Sequence, residues 1–347
     1  MIVIDGSLHS GSGTILRYAA ALATLLRKPL HMIRIRAKRE KPGLRLQHLQ
    51  ALRACAEISG GTLEGGAVGS QEIFFQPGKR PAGGRFTWDI GSAGSTTMLA
   101  MTVIPPALFA ESPSRFTIIG GLFQDFAPSA LYMENVLLPL LRRMGVNLEM
   151  RIARPGYVPQ GRGELVVDVH PGRNGLSGIR LPEQGTVKKI RGVSLASHLI
   201  KEQVSRRMAE QSRRSLQPHG FDPQIRVLDD DSAPQKGAAL LLWAETDIGC
   251  LIGSDRAGRP GRRSEGIADH VVQCLLEDME SGASTDRHLA DQLILFASLA
   301  AGITEYRIPR ITDHVESNLW LIESILGAKS RCDNNLLQID GIGFRPS

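Results

Sequence analysis

Residues 4–16 read IDGSLHSGSGTIL, and residues 89–99 read DIGSAGSTTML. Each sets a Gly/Ser loop between a short strand-like run and an apolar segment with helical spacing. The recurrence of strand, loop and helix points to an internal repeat of one small α/β unit. Working outward from the first copy, the pattern predicts a strand over 2–5, a helix over 14–28, a strand over 30–35, a helix over 45–58 and a strand over 72–76. The turn-rich PGKRPAGG at 77–84 closes that unit. From the second copy the prediction runs through strand 86–90, a helix from Thr97, strand 116–119, helix 131–144, and strands 148–152 and 164–169.

From about Leu181 the pattern changes to a strand (188–194), a charged helix (202–214), three strand-like runs and a helix (266–280). Residues 287–339 then return to helix, strand, helix, strand, strand, the order of the opening units. The fold class expected is α/β (α+β), with an insertion interrupting a series of repeated units.

Composition narrows the classes of function. The 42% hydrophobic and 22% charged fractions are those of an ordinary globular chain, and 347 residues exceed one typical core. A net charge of +6 favours a polyanionic partner, RNA or DNA first. Cys55, Cys250, Cys274 and Cys332 are scattered with no C-x-x-C pair, which argues against a zinc ribbon or redox dithiol. No apolar run approaches bilayer length and no leader pattern opens the chain, so a cytoplasmic location without membrane contact is expected.

Three segments carry candidate chemistry. The Gly/Ser loop 6–13 precedes a helix, so it is either a phosphate cradle or a tight turn feeding the helix. The absence of G-x-x-x-x-G-K-[ST] disfavours a P-loop. The stretch 33–48, IRIRAKREKPGLRLQH, is densely cationic. As an extended strand it would align Arg34, Arg36 and Lys38 on one face as phosphate donors, or simply be a solvated basic strand. His314 lies in PRITDHVESNLWLIESIL, where a helix begins with Thr312 or Asp313 as N-cap and Asp313 with Glu316 fitting a capping box. A helix N-terminus disfavours the imidazolium, and a neutral imidazole is what a nucleophile needs.

In order along the chain, DGS…GSGTILR (5–17), IRAKREKPGLRLQHL (35–49), IGSAGST (90–96), GYVPQGRGE (156–164), HLADQL (288–293) and DHVESN (313–318) resemble the RNA 3'-terminal phosphate cyclase family. That resemblance implies a large domain of three βαβαββ-type repeats, at 1–184 and 282–347, with a smaller α/β domain at 185–281 inserted in the third. It implies ATP-dependent conversion of an RNA 3'-phosphate to a 2',3'-cyclic phosphate, through a histidine-AMP and an RNA-adenylate, with Mg2+ or Mn2+ assisting. His314 would be the adenylated nucleophile. Arg17, Pro128, His288, Leu289, Ala290, Asp291, Gln292 and Met101 fall at nucleotide-binding positions, and Arg36, Arg39, Gln47 and His48 at phosphate- or RNA-binding ones.

The sequence also departs from the family pattern. Ser10, Gly11, Ser12, Gly13 and Thr14 stand where most members have a glutamate, three glycines and a glutamine. Met101 replaces a glutamine, Gly120 to Phe123 replace a GGT-[DN] run, Arg162 replaces a glycine and His288 a tyrosine. The metal and nucleotide shell is thus altered around a retained histidine. The alternatives to a working cyclase are a catalytically inactive, cyclase-like RNA-binding protein in RNA processing, and a transferase acting on another phosphorylated end or on a small molecule.

Overall fold

Strand β1 (Ile2–Asp5) and strand β2 (Leu30–Ile33) pair in parallel across helix α1 (Gly13–Leu26), with Asp5 opposite Ile33. The coordinates are a computed structural model that describes residues 1–172 and 174–346. Helix α2 (Leu46–Ser59) leads to β3 (Thr62–Glu64) and β4 (Ile73–Gln76), and β4 pairs antiparallel with both β2 and β3. The sheet order is β1-β2-β4-β3.

The next stretch repeats this path. It comprises β5 (Gly84–Asp89), α3 (Thr96–Ala107) and β6 (Ser114–Gly120), then α4 (Ala130–Tyr132), which runs through a π-turn at Met133–Leu137 into α5 (Leu138–Arg143). Strands β7 (Asn147–Arg154) and β8 (Gly163–His170) complete the order β5-β6-β8-β7. Asp89 stands opposite Ile119, as Asp5 stands opposite Ile33.

Strand β9 (Arg180–Leu181) is followed by a sheet of its own kind: β10 (Val187–Ser197), α6 (Val204–Leu216), β11 (Gln224–Asp230), β12 (Gly237–Thr246), β13 (Leu251–Ala257) and α7 (Ser264–Glu280), in order β11-β10-β12-β13. Then come α8 (Leu289–Leu299), β14 (Ala301–Arg307), α9 (Asp313–Leu326), β15 (Lys329–Asp333) and β16 (Leu336–Ile342). Strand β14 pairs parallel with β9 and antiparallel with β16, so this sheet reads β9-β14-β16-β15 from its short edge. The α+β class expected from the sequence is the class observed.

Helix α1 is buried on nearly every side from Gly13 to Leu25, and it packs on α2, α3 and α9. A helix that is apolar all round is an interior helix, and its run of alanines lets three neighbours approach. In the β10–β13 sheet, alternation splits the two faces. Ile190, Leu240, Leu242 and Ile252 pack with Met208, Ile267, Val271 and Leu275 in one cluster. Val193, Leu241 and Trp243 join the main core instead. On that second face a Cβ at Gly253 would lie 2.7 Å from Val136 Cγ2 and 2.9 Å from Tyr132 Cε2, so glycine permits the sheet to seat on the π-turn.

One local expectation fails. The strand expected over 30–35 ends at Ile33, and Arg34 (φ 51°) and Arg36 (φ 54°) adopt left-handed backbone. Arg34, Arg36 and Lys38 therefore share no strand face. Past Ile33 the neighbouring strands have run out, β1 ending at Asp5 and β4 starting at Ile73, so the backbone folds into turns. Arg34 pairs with Asp5, Arg36 donates to the carbonyls of Lys41 (2.9 Å) and Gly43 (2.8 Å), and Lys38 Nζ donates to the His9 carbonyl (2.7 Å). Strands β3 and β9, only three and two residues long, are too short to leave a sequence pattern. The four cysteines are free thiols. Among the described residues no helix is long and apolar enough to cross a membrane.

Candidate active site

The loops that leave the C-terminal ends of the parallel strands are 6–12 and 34–45 after β1 and β2, 90–95 and 121–129 after β5 and β6, and 308–312 after β14. Loops at this edge of parallel strands are where α/β proteins place their ligands. Three contacts of long sequence separation tie these regions together. Ser10 N–H donates to Ser317 Oγ (3.1 Å), Ser95 N–H donates to Gln47 Oε1 (3.0 Å), and Asn318 Nδ2 donates to the Asp291 carbonyl (3.1 Å).

His314 occupies the first turn of α9. Thr312 is the N-cap and its hydroxyl accepts from Val315 N–H (3.3 Å), so Asp313 is the first helical residue and the alternative capping box from Asp313 to Glu316 does not form. The imidazole is half-buried and its pKa is held below the ordinary histidine range. Burial is the main cause, the charges of Arg39 and Arg17 add to it, and Asp313 opposes it. His314 is therefore a neutral imidazole at pH 7.

Arg17, on α1, is 6% exposed and donates to Thr14 Oγ1 (3.2 Å). Burial, with Arg36 adding, pulls its guanidinium down to about 10, so it stays charged at neutral pH. His48 is buried and its Nδ1 accepts from Arg45 N–H (3.2 Å). Its ring lies flush on α1, since a Cβ at Gly13 would sit 2.1 Å from His48 Nε2. Burial, then Arg17, Arg36 and Arg45, hold His48 well below its ordinary pKa. Arg39 is exposed at the mouth of this group, and Gln47 joins α2 to the loop before α3.

The Gly/Ser loops prove to be turns that cap helices. Ser12 and Ser95 hydroxyls cap α1 and α3. In the first loop the N–H groups of Gly6, Ser7, Leu8, Ser10 and Gly11 have partners inside the protein. Of the HLADQ stretch, His288 is exposed, whereas Leu289 and Ala290 are fully buried and serve the core. The Asp291 carboxyl is pushed up to about 7, chiefly by burial, with His288 and Arg17 opposing. Pro128 is half-buried and its carbonyl accepts from Thr97 Oγ1 (2.7 Å). Met101 is 4% exposed in the core of α3.

Some contributors have no clear mark in the sequence. Asp286 is fully buried and collects both Tyr132 OH (2.7 Å to each oxygen) and the N–H groups of Gly253, His288 and Leu289 (2.8 Å each). Asn318 had a readable signal, since it stands four residues after His314 on the same helix face.

Six buried side-chain polar atoms among the described residues have no hydrogen-bond partner. Four of them are here: Arg17 Nε, Gln292 Oε1, His314 Nδ1 and Asn318 Oδ1. Each such group costs about 1–3 kcal/mol when left unpaired. They sit on α1, α8 and α9, with α9 packed against both of the others. Unpaired donors and acceptors around a neutral histidine and the buried Arg17 guanidinium suit a polar ligand that carries both an anionic group and hydrogen-bond donors. It does not suit a metal held by protein alone. Among the described residues no three His, Cys, Asp or Glu side chains could share an ion, and Ser10, where the family glutamate is expected, is bonded to Ser12 and Ser317.

A family profile and the sequence relatives agree on one family. The family profile described as RNA 3'-terminal phosphate cyclase matches residues 8–332. Proteins of that name are similar over almost the whole length. The one from Pyrobaculum neutrophilum is 34% identical over 345 residues, 98% of this chain and 99% of the relative. That from Archaeoglobus fulgidus is 37% identical over 341 residues, 98% and 100% respectively. That from Methylococcus capsulatus is 35% identical over 354 residues, 98% and 97%. The chain belongs to the RNA 3'-terminal phosphate cyclase family.

Proposed function

We propose that the protein is an ATP-dependent RNA 3'-terminal phosphate cyclase with His314 as its nucleophile. The observation that carries this reading is the set of unpaired buried atoms of Arg17, Gln292, His314 and Asn318 around a histidine kept neutral by its surroundings. In the first step the His314 lone pair attacks the α-phosphorus of ATP, forming an N–P bond as the P–O bond to pyrophosphate breaks. In the second, a 3'-phosphate oxygen of the RNA takes the AMP and releases the imidazole. In the third, the neighbouring 2'-hydroxyl attacks the activated phosphorus, loses its proton, and AMP departs.

Arg17 and Arg39, whose charges already act on His314, would stabilise the negative charge that spreads over the phosphoryl oxygens in each transfer. Gln292 Oε1 and Asn318 Oδ1, the oxygens now without partners, would accept hydrogen bonds from the nucleotide. Pro128 and exposed His288 are the surfaces available to an adenine ring. A divalent cation enters this reading only with the ATP phosphates, because among the described residues no three His, Cys, Asp or Glu side chains could hold one.

The test is incubation with ATP labelled on the α-phosphate. Wild type is expected to acquire an acid-labile adenylate that His314→Asn does not. Absence of label in the wild type with either Mg2+ or Mn2+ would overturn the enzyme reading in favour of an RNA-binding relative.

A further inference from the structure

One side chain near this site has no part in the reaction above. Phe126, in the loop 121–129, is fully exposed at 101% of its reference area, and its φ of 66° lies in the left-handed region that bulky residues avoid. The chain on either side is pinned. Asp125 takes two hydrogen bonds from Arg262 (2.9 and 2.8 Å), whose side chain is only 9% exposed. Two residues on, the Pro128 carbonyl accepts from Thr97, and Ser129 N–H donates to Asp255 Oδ2 (2.9 Å). The ring is therefore held out into solvent by an anchored loop.

Its surroundings are cationic. The end of β13 and the turn into α7 read RAGRPGRR, residues 256–263, and the charges of Arg256, Arg259 and Arg262 all act on Asp125 beside the ring. Arg259 and Arg263 are exposed. A solvent-facing ring flanked by guanidinium groups is how proteins hold single-stranded nucleic acid, with a base stacked on the ring and phosphates paired to arginine. The chain length places Phe126 within about 11 Å of Ser129. Ser129 is bonded to Asp255, whose carboxyl feels His288 at the nucleotide site. The ring thus stands at the rim of the site, where a strand would leave it.

We propose that Phe126, with Arg259 and Arg263, forms a stacking platform for a nucleobase upstream of the RNA 3' end, so that the β10–β13 segment grips RNA. This rests on the reading of RNA ends as the substrate. The test compares a 12-mer and a dinucleotide, both ending in a 3'-phosphate, by fluorescence anisotropy, with ATP labelling of the protein measured separately. Phe126→Ala is expected to weaken 12-mer binding about 10-fold, one stacked base's share, while the dinucleotide and ATP labelling are unchanged. Phe126→Trp restores 12-mer binding. Arg259→Gln with Arg263→Gln lowers the salt slope of 12-mer binding by roughly 0.7 per lost phosphate contact.

Unchanged 12-mer binding in Phe126→Ala overturns the platform, as does an equal loss on the dinucleotide or on ATP labelling, which would assign the ring to the nucleotide pocket. Phe126→Gly, which tolerates the left-handed backbone, checks that any loss is due to the ring. A wild type that fails to label with ATP sinks the cyclase reading alone, since 12-mer binding still decides the platform.

Discussion

Ser10 Oγ and Ser317 Oγ lie 2.8 Å apart although 307 positions separate them. Ser317 is fully buried, accepts from Ser10 N–H, and also bonds the Asp313 carbonyl of its own helix. One hydroxyl thus fixes the first turn of α9, and with it His314, against the loop that opens α1.

Ser317→Ala removes that junction and leaves Ser10 N–H without its acceptor. Stability should fall by about 1–3 kcal/mol. Urea denaturation would measure it, and the adenylation rate should drop with His314 less well placed. An unchanged denaturation midpoint would show that the contact is dispensable.

Gly13→Ala drives a methyl into His48, 2.1 Å from Nε2 and 2.7 Å from Cδ2. The expected cost is about 1–3 kcal/mol of overpacking. Combining it with His48→Ala should recover most of the stability, because the obstructing ring is gone, without recovering activity. If the double variant is no more stable than Gly13→Ala, the close packing of these residues is not the cause.

The pH profile of adenylation follows from His314. A depressed pKa means the neutral, nucleophilic form persists as pH falls through the ordinary value of about 6.5. The single-turnover rate should hold its plateau past that point and decline only below it. Arg39→Gln removes one of the charges that depress it, so its decline should move to higher pH; a shift to lower pH would contradict the assignment.

Asp291 works in the opposite sense. Its folded-state carboxyl is raised to about 7 from an ordinary value near 3.8, so between those limits the native state holds a proton that the unfolded chain has lost. Stability therefore falls as pH rises from 4 to 7 and levels off above. Asp291→Asn should abolish this slope, making the variant more stable than wild type at pH 8 by roughly 1–3 kcal/mol. Parallel stability curves from pH 5 to 8 would refute it.

Most helices and their order were legible because apolar spacing records which face is covered. The readings at 2–5, 14–28 and 45–58 correspond to β1, α1 and α2 within a few residues. The basic stretch after Ile33 has the alternation of a strand yet forms turns, because alternation of charge says nothing about whether a neighbouring strand is there to pair. The two-residue β9 is defined only by β14, more than a hundred positions away.

By itself the sequence determined the α/β class and, through six ordered motifs, the family. It also singled out His314 as a candidate nucleophile. Only the tertiary structure decided that Thr312 caps α9, that amides of the Gly/Ser loops are bonded to distant segments such as Ser317 and Gln47, and that Arg17, Gln292, His314 and Asn318 share a region with buried atoms unpaired. Spacing encodes what a segment buries, but pKa values and hydrogen bonds depend on what the other segments bring beside it. The state of His314 is set by burial and by Arg39 and Arg17, and no neighbour in sequence could have supplied them.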